Sequence, residues 1–231
     1  MKKVKGKTIA IVGLGKSYAD YVSARINSHK FDEVWGINSI GAIIYVDRTF
    51  MMDPVSRFLD TDAAGTQTNI AREFLSKNEK PIITCQLDER ISYLELFPLK
   101  EVATELGFCY FNNTVAYAVA YAIWKKVKII CLYGIDYTYK NVNMAESGRA
   151  CVEFWLAIAV SKGIKIEVAH NSTLLDTNVP DNEKLYGYHR LDDPLVQTVK
   201  DGSLLIVRQS EFESPEPQDE KPVIFGRHDN V

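Results

Sequence analysis

The sequence predicts an α/β fold: a mostly parallel sheet with helices on both faces, in a single domain. Three observations predict it. Short unbroken apolar runs at Thr8–Val12, Glu33–Ile37 and Ile129–Tyr133 have the length and composition of strands buried on both faces. Longer segments of helical character stand between such runs, and this alternation is how parallel strands joined by crossover helices read in sequence. Several strand patterns also end in polar groups, at Gly13–Ser17, Asn38 and Asp53, where an open parallel sheet binds its ligands.

The 231 residues suffice for one large domain with a real core. A net charge of -3 gives no global electrostatic footprint for nucleic acid. No apolar run approaches the ~20 residues that cross a bilayer. The opening MKKVKGKTIAIVGLG has the positive start of a signal peptide, but its apolar run is short and falls into a glycine turn, which reads as a strand. Cys85, Cys109, Cys131 and Cys151 are widely spaced, with no CxxC or Cys/His cluster in sequence. Buried free thiols in a reducing cytosol are expected, and a zinc site is not.

In chain order, Thr8–Val12 is the first strand and Tyr18–Ile26 the first helix. The turn between them, Gly13-Leu14-Gly15-Lys16-Ser17, offers backbone N–H groups at the positive end of a helix dipole, a natural seat for phosphate. Gly15-Lys16-Ser17 spells the end of a Walker A loop, but Ala10 stands where that loop needs its first glycine. Tyr18 stands where a dinucleotide fingerprint needs its third. A purely structural tight turn fits the same residues. Glu33–Ile37 is a second strand ending at Asn38, which suits either a base or ribose contact or a turn. Tyr45–Met52 is a third, stopped by Asp53-Pro54.

Ser56–Gln67 reads as a loop, Thr68–Lys77 as a helix and Pro81–Cys85 as a strand. Asp88–Phe97 is mixed, and Leu99–Leu106 is a short helix. Asn112, Asn113 and Thr114 are cap residue types opening the apolar helix Val115–Trp124, which leads into strand Ile129–Tyr133 and the polar end Gly134-Ile135-Asp136-Tyr137. Glu146–Lys162 is an amphipathic helix closed by Gly163, and Ile164–Ala169 is a strand. Residues 1–170 thus read as one α/β core. Residues 171–210, with Tyr186, Tyr188, His189 and Arg190 and an edge strand at Ser203–Val207, read as a lid or surface loop closing the same domain. Residues 211–231 are an acidic, proline-containing tail.

Taken together, Gly13-Leu-Gly15-Lys-Ser17, Trp35-Gly-Ile-Asn38-Ser39, Met52-Asp53-Pro54, Asn113-Thr114 and Leu132-Tyr-Gly134-Ile-Asp136-Tyr137 resemble a known group. It is the Rossmann-like superfamily of bacterial lipooligosaccharide sialyltransferases and of hydroxymethylpterin pyrophosphokinase-like domains found beside motility genes, here in a small phage-type form. The resemblance spans roughly residues 8–170. It implies that Gly13, Gly15, Ser17, Asn38, Asn113 and Thr114 bind a nucleotide, with Asp136 at the rim. Two positions depart from the sialyltransferases. They carry Asn where this chain has Asp53, as the pterin-kinase-like branch does. Their loop after the GIDY-like block holds a His base, whereas Lys140–Met144 holds none.

A carboxylate beside phosphates implies a divalent metal, Mg²⁺ or Mn²⁺, at Asp53, or a contact to the base. The expected function is a nucleotide-dependent transferase using a nucleotide-activated sugar, with Asp136, His189 and Tyr137 as the catalytic candidates and an unspecified acceptor. Diphosphate transfer onto a pterin-like alcohol is the alternative within that class. A non-catalytic nucleotide or signal binder, in phage-type modification or counter-defence, is the alternative outside it. The expected location is the cytoplasm, of the host if phage-encoded, and a homo-oligomer is compatible with the chain.

Overall fold

The computed structural model describes residues 6–65, 67–188, 195–208 and Glu211. The chain divides into two compact units, Met1–Val179 and Pro180–Val231.

The first unit is an α/β domain built on seven strands: β1 (Thr8–Val12), β2 (Glu33–Ile37), β3 (Arg48–Phe50), β4 (Ile82–Thr84), β5 (Leu94–Leu96), β6 (Ile129–Tyr133) and β7 (Lys165–Val168). Their order is β5-β4-β3-β2-β1-β6-β7, and every neighbouring pair is parallel. The helices are α1 (Tyr18–Ile26), α2 (Ser56–Leu59), α3 (Gln67–Lys77), α4 (Leu99–Leu106), α5 (Thr114–Trp124) and α6 (Val142–Ser161). Side chains alternate across the pleat, so Ile9 and Ile11 enter one core with Trp35, Phe50, Ile83 and the residues of α5 and α6, while Ala10 and Val12 enter another with Tyr21 of α1. A third core joins α2 and α3 to Met51, Ile82 and Leu94. Helices therefore cover both faces, as the alternating pattern predicts.

α5 lies in the middle of the larger core. Nearly every residue from Val115 to Ile123 is buried, because α4, α6 and the sheet surround it. This accounts for its all-round apolar sequence. Asn113 caps it from extended backbone (φ -157°), its Oδ1 accepting the Ala116 N–H at 3.1 Å.

Three elements differ from expectation. Ser56–Leu59 is one helical turn rather than loop, too short to show a periodic pattern. Leu94–Leu96 is an additional edge strand whose exposed Leu96 obscures its character. The last long helix begins at Val142, capped by the Asn141 side chain, four residues before the expected start. In the second unit β8 (Leu195–Lys200) pairs antiparallel with β9 (Ser203–Arg208) as a two-stranded hairpin; β9 is thus not an edge of the seven-stranded sheet. No helix among the described residues is long and apolar enough to cross a membrane.

Candidate functional site

β1 lies between β2 and β6, so the chain leaves β1 in one direction across the sheet and returns to its other side at β6. This reversal opens a crevice at the carboxyl ends of the strands. The cleft there measures about 710 Å³ and is lined from β1 by Gly13, Gly15 and Lys16, from β2 by Asn38, and from the segment after β3 by Asp53. The start of α5 adds Asn113, Thr114 and Val115, and the segment after β6 adds Asp136 and Tyr137. A volume in this range suits a small ligand. Residues from five separate stretches of sequence meet here.

The two turns that face each other across the switch point are locked together. Gly15 N–H donates to the Gly134 carbonyl at 2.8 Å, and Gly13 N–H to the Tyr133 carbonyl at 2.8 Å. A Cβ on Gly15 would stand 2.5 Å from Asp136 Oδ2, so this glycine is required by close packing of the turns. Ser17 is buried beneath the cleft rather than on its wall. Its N–H donates to Asp136 Oδ2 at 2.7 Å, its hydroxyl donates to Asp136 Oδ1, and its Oγ accepts the Gly134 N–H at 2.9 Å. Asp136 is likewise buried. Both of its carboxylate oxygens are committed to Ser17, and its carbonyl accepts the Thr173 hydroxyl.

That clasp changes the expected seat for phosphate. The Ser17 N–H meets the protein's own carboxylate, while the N–H groups of Tyr18, Ala19 and Asp20 donate to the carbonyls of Gly15, Lys16 and Ser17. The amino end of α1 is already satisfied. The amino end of α5 is not: Asn113 caps Ala116, and the Thr114 and Val115 N–H groups of the first turn have no intrahelical acceptor and border the cleft.

Asn38 has left-handed backbone (φ 54°), uncommon for a residue other than glycine. Its side-chain Oδ1 is buried without a hydrogen-bond partner. Asn38 borders both the main cleft and an adjoining recess of about 200 Å³ formed with Ser39, Met51, Phe58 and Ala71. Tyr137 is also left-handed (φ 47°), and its hydroxyl donates to Asn113 Oδ1 at 3.2 Å. Burial pushes its phenol far above the ordinary range, with the Tyr139 and Cys151 side chains adding to the effect. The Tyr137 hydroxyl is thus held as a neutral donor to Asn113.

Asp53 pairs with Arg57 one helical turn on, Oδ1 to Nη1 at 2.5 Å. The guanidinium neutralises this carboxylate, and among the described residues Asp53 belongs to no group of three or more ligating side chains. Arg57 and Gln67 border the cleft but fall in the stretch Ser56–Gln67 read as a loop. The four-residue spacing from Asp53 to Arg57 was the signal available in sequence. His189 and Arg190 lie outside the described residues, as does most of the 211–231 tail. His170 follows β7 and is not among the residues lining the cleft.

No family model matches the chain, and a search of curated proteins returns no match. Among solved structures the chain is similar to the sialyltransferase CstII from Campylobacter jejuni in complex with the substrate analogue CMP-3FNeuAc, at 19% identity, 72% of this chain and 82% of that chain, with a TM-score of 0.45. The same enzyme with cytidine-5'-monophosphate gives 18% identity, 74% and 83% coverage and a TM-score of 0.46. A mutant of α-2,3/8-sialyltransferase CstII gives 21%, 72% and 83%, and 0.45.

Proposed function

We propose that the chain is a nucleotide-dependent transferase whose switch-point cleft holds a nucleotide-activated sugar. One observation carries the reading: Asn38, whose side-chain Oδ1 is buried and unpartnered, borders the same cleft as the open amino end of α5. A buried acceptor without a donor is costly unless a ligand completes it. The exocyclic amine of a cytosine-like base or a ribose hydroxyl would do so. The Thr114 and Val115 N–H groups would take phosphate oxygens, with Lys16 and Arg57 as nearby cations. The sequence resemblance to sialyltransferases puts cytidine-linked sugars first among donors to try.

Transfer to a hydroxyl acceptor needs a base. Among the described cleft residues Asp136 is bound to Ser17, Asp53 to Arg57, and Tyr137 is held neutral. His189, the base candidate that the sequence names, is therefore the residue to test. The same observation favours a second reading, a nucleotide binder without turnover.

Thermal unfolding with cytidine, uridine, adenine and guanine nucleotides, with and without Mg²⁺ or Mn²⁺, tests both readings. A ligand at ~100 times its Kd adds about 2.7 kcal/mol, a shift of a few degrees. Asn38→Ala and Thr114→Pro, which removes that backbone N–H at a first helical position that accepts proline, should each abolish most of that shift. Release of the sugar from the donor, lost in His189→Ala with the thermal shift retained, is the transferase outcome. Recovery of intact donor from a tight complex is the binder outcome, and no shift with any nucleotide overturns both.

A further inference from the structure

Away from the cleft, on the face of the sheet covered by α1, three side chains of ligating type converge. Cys131 lies in the middle of β6, and Glu167 is its register partner on β7. His29 lies in the turn after α1, where its N–H donates to the Ala24 carbonyl at 2.9 Å and its carbonyl accepts Arg25 Nη1 at 3.3 Å. Its ring packs against Phe31 with centroids 4.8 Å apart. The ligating atoms of His29, Cys131 and Glu167 all lie within 4.8 Å of one another. Residues 29, 131 and 167 are too far apart in sequence for any spacing motif to show this.

We propose that His29, Cys131 and Glu167 form a binding site for a zinc-class divalent metal ion. A thiolate, an imidazole and a carboxylate are a ligand set that favours Zn²⁺ or Co²⁺ over the oxygen-seeking Mg²⁺ and Ca²⁺. Tetrahedral zinc with such ligands places neighbouring donor atoms about 3.3–3.6 Å apart. Cys131 Sγ and Glu167 Oε2 already stand at 3.3 Å. Only the exposed His29 ring has to close in. The second carboxylate oxygen, Oε1, accepts from Lys165 Nζ at 2.6 Å, which leaves Oε2 as a monodentate ligand with an outer partner holding its orientation. Thiolate and carboxylate together balance the charge of the ion, and the thiol proton leaves to solvent as the metal–sulfur bond forms. A water fills the fourth position.

The site joins the α1–β2 turn, β6 and β7, three segments remote in sequence, so metal should bind the folded chain in preference to the unfolded one. It lies along the strands and not at their carboxyl ends, and its function is to fasten this edge of the sheet.

The test uses the full chain carrying Cys85→Ser and Cys109→Ser, which remove the two exposed thiols. Titration with Co²⁺ should give thiolate-to-cobalt charge-transfer absorption and intense tetrahedral visible bands that saturate at one equivalent. Zn²⁺ should bleach them and raise the Tm. Cys131→Ser should abolish the charge-transfer band. His29→Ala changes an exposed side chain and should fold normally by circular dichroism while losing at least ~10-fold in Co²⁺ affinity. If Cys131→Ser does not fold, His29→Ala decides. Absence of the charge-transfer band, its survival in Cys131→Ser, or unchanged affinity in His29→Ala would overturn the proposal.

Discussion

The Asp136 carboxylate takes the Ser17 N–H on one oxygen and the Ser17 hydroxyl on the other, 119 residues away in sequence. A carboxylate at the end of a central strand reads as chemistry, and its position at the cleft was legible for that reason. Its partner was not, because nothing local links a serine at the start of one helix to an aspartate after a strand far along the chain. The Asn113 cap was legible because capping is a short-range interaction with a residue-type preference. Asn38 was legible as a polar strand end, but its left-handed backbone and unpartnered oxygen depend on tertiary packing. The clasp makes a prediction that separates structure from catalysis. Asp136→Asn keeps the shape but removes the charge from two buried hydrogen bonds and sets an amide N–H₂ opposite the Ser17 hydroxyl, which must turn from donor to acceptor. It should cost about 2–3 kcal/mol in urea unfolding. Unchanged stability with lost activity would instead assign Asp136 a catalytic part.

At the scale of elements, strands buried on both faces were readable as short apolar runs, whereas β5 and α2 were not, since three and four residues cannot display a period. β2 carries a polar feature that such a run would not suggest. Glu33 is buried and accepts from Trp35 Nε1 at 2.8 Å, pairs with Lys7 at 2.9 Å, and meets Arg48 of β3 at 3.2 Å. Burial alone would raise its carboxyl, but the hydrogen bonds from Trp35 and Lys7 and the charges of Arg48 and Lys7 outweigh it and hold the carboxyl below the ordinary 4.5. A carboxyl depressed in the folded state stabilises the fold fully above its unfolded value, and that contribution disappears as pH falls through the folded value. Glu33→Gln should therefore cost about 2–3 kcal/mol at pH 7, where Arg48 is left without its counter-charge. The gap to the unmodified chain should narrow only below about pH 4.5. Urea unfolding of both chains at pH 7, 5 and 3.5 measures it, and a gap that does not change with pH would remove the charge from the explanation.

For the molecule as a whole, strand–helix alternation foretold a parallel sheet, but not the strand order, because crossover connections of similar length can place the next strand on either side of the last. The switch point follows from that order: β6 returns beside β1, and only then do the two glycine turns meet and the cleft exist. All the described residues lining the cleft lie within 1–179, as do the seven strands and three cores. Nucleotide binding should therefore survive when the chain is cut between the units. A chain ending after Val179 should show the same nucleotide-induced rise in Tm as the full chain, since no group that touches the nucleotide in the proposed arrangement has been removed. Whether the shortened chain still releases sugar from the donor measures the part that residues 180–231 play in turnover. Loss of the thermal shift in a shortened chain that still unfolds cooperatively would place part of the nucleotide site in residues 180–231. Retained turnover would leave the base among residues 1–179, where Asp136 would have to leave Ser17 in order to act.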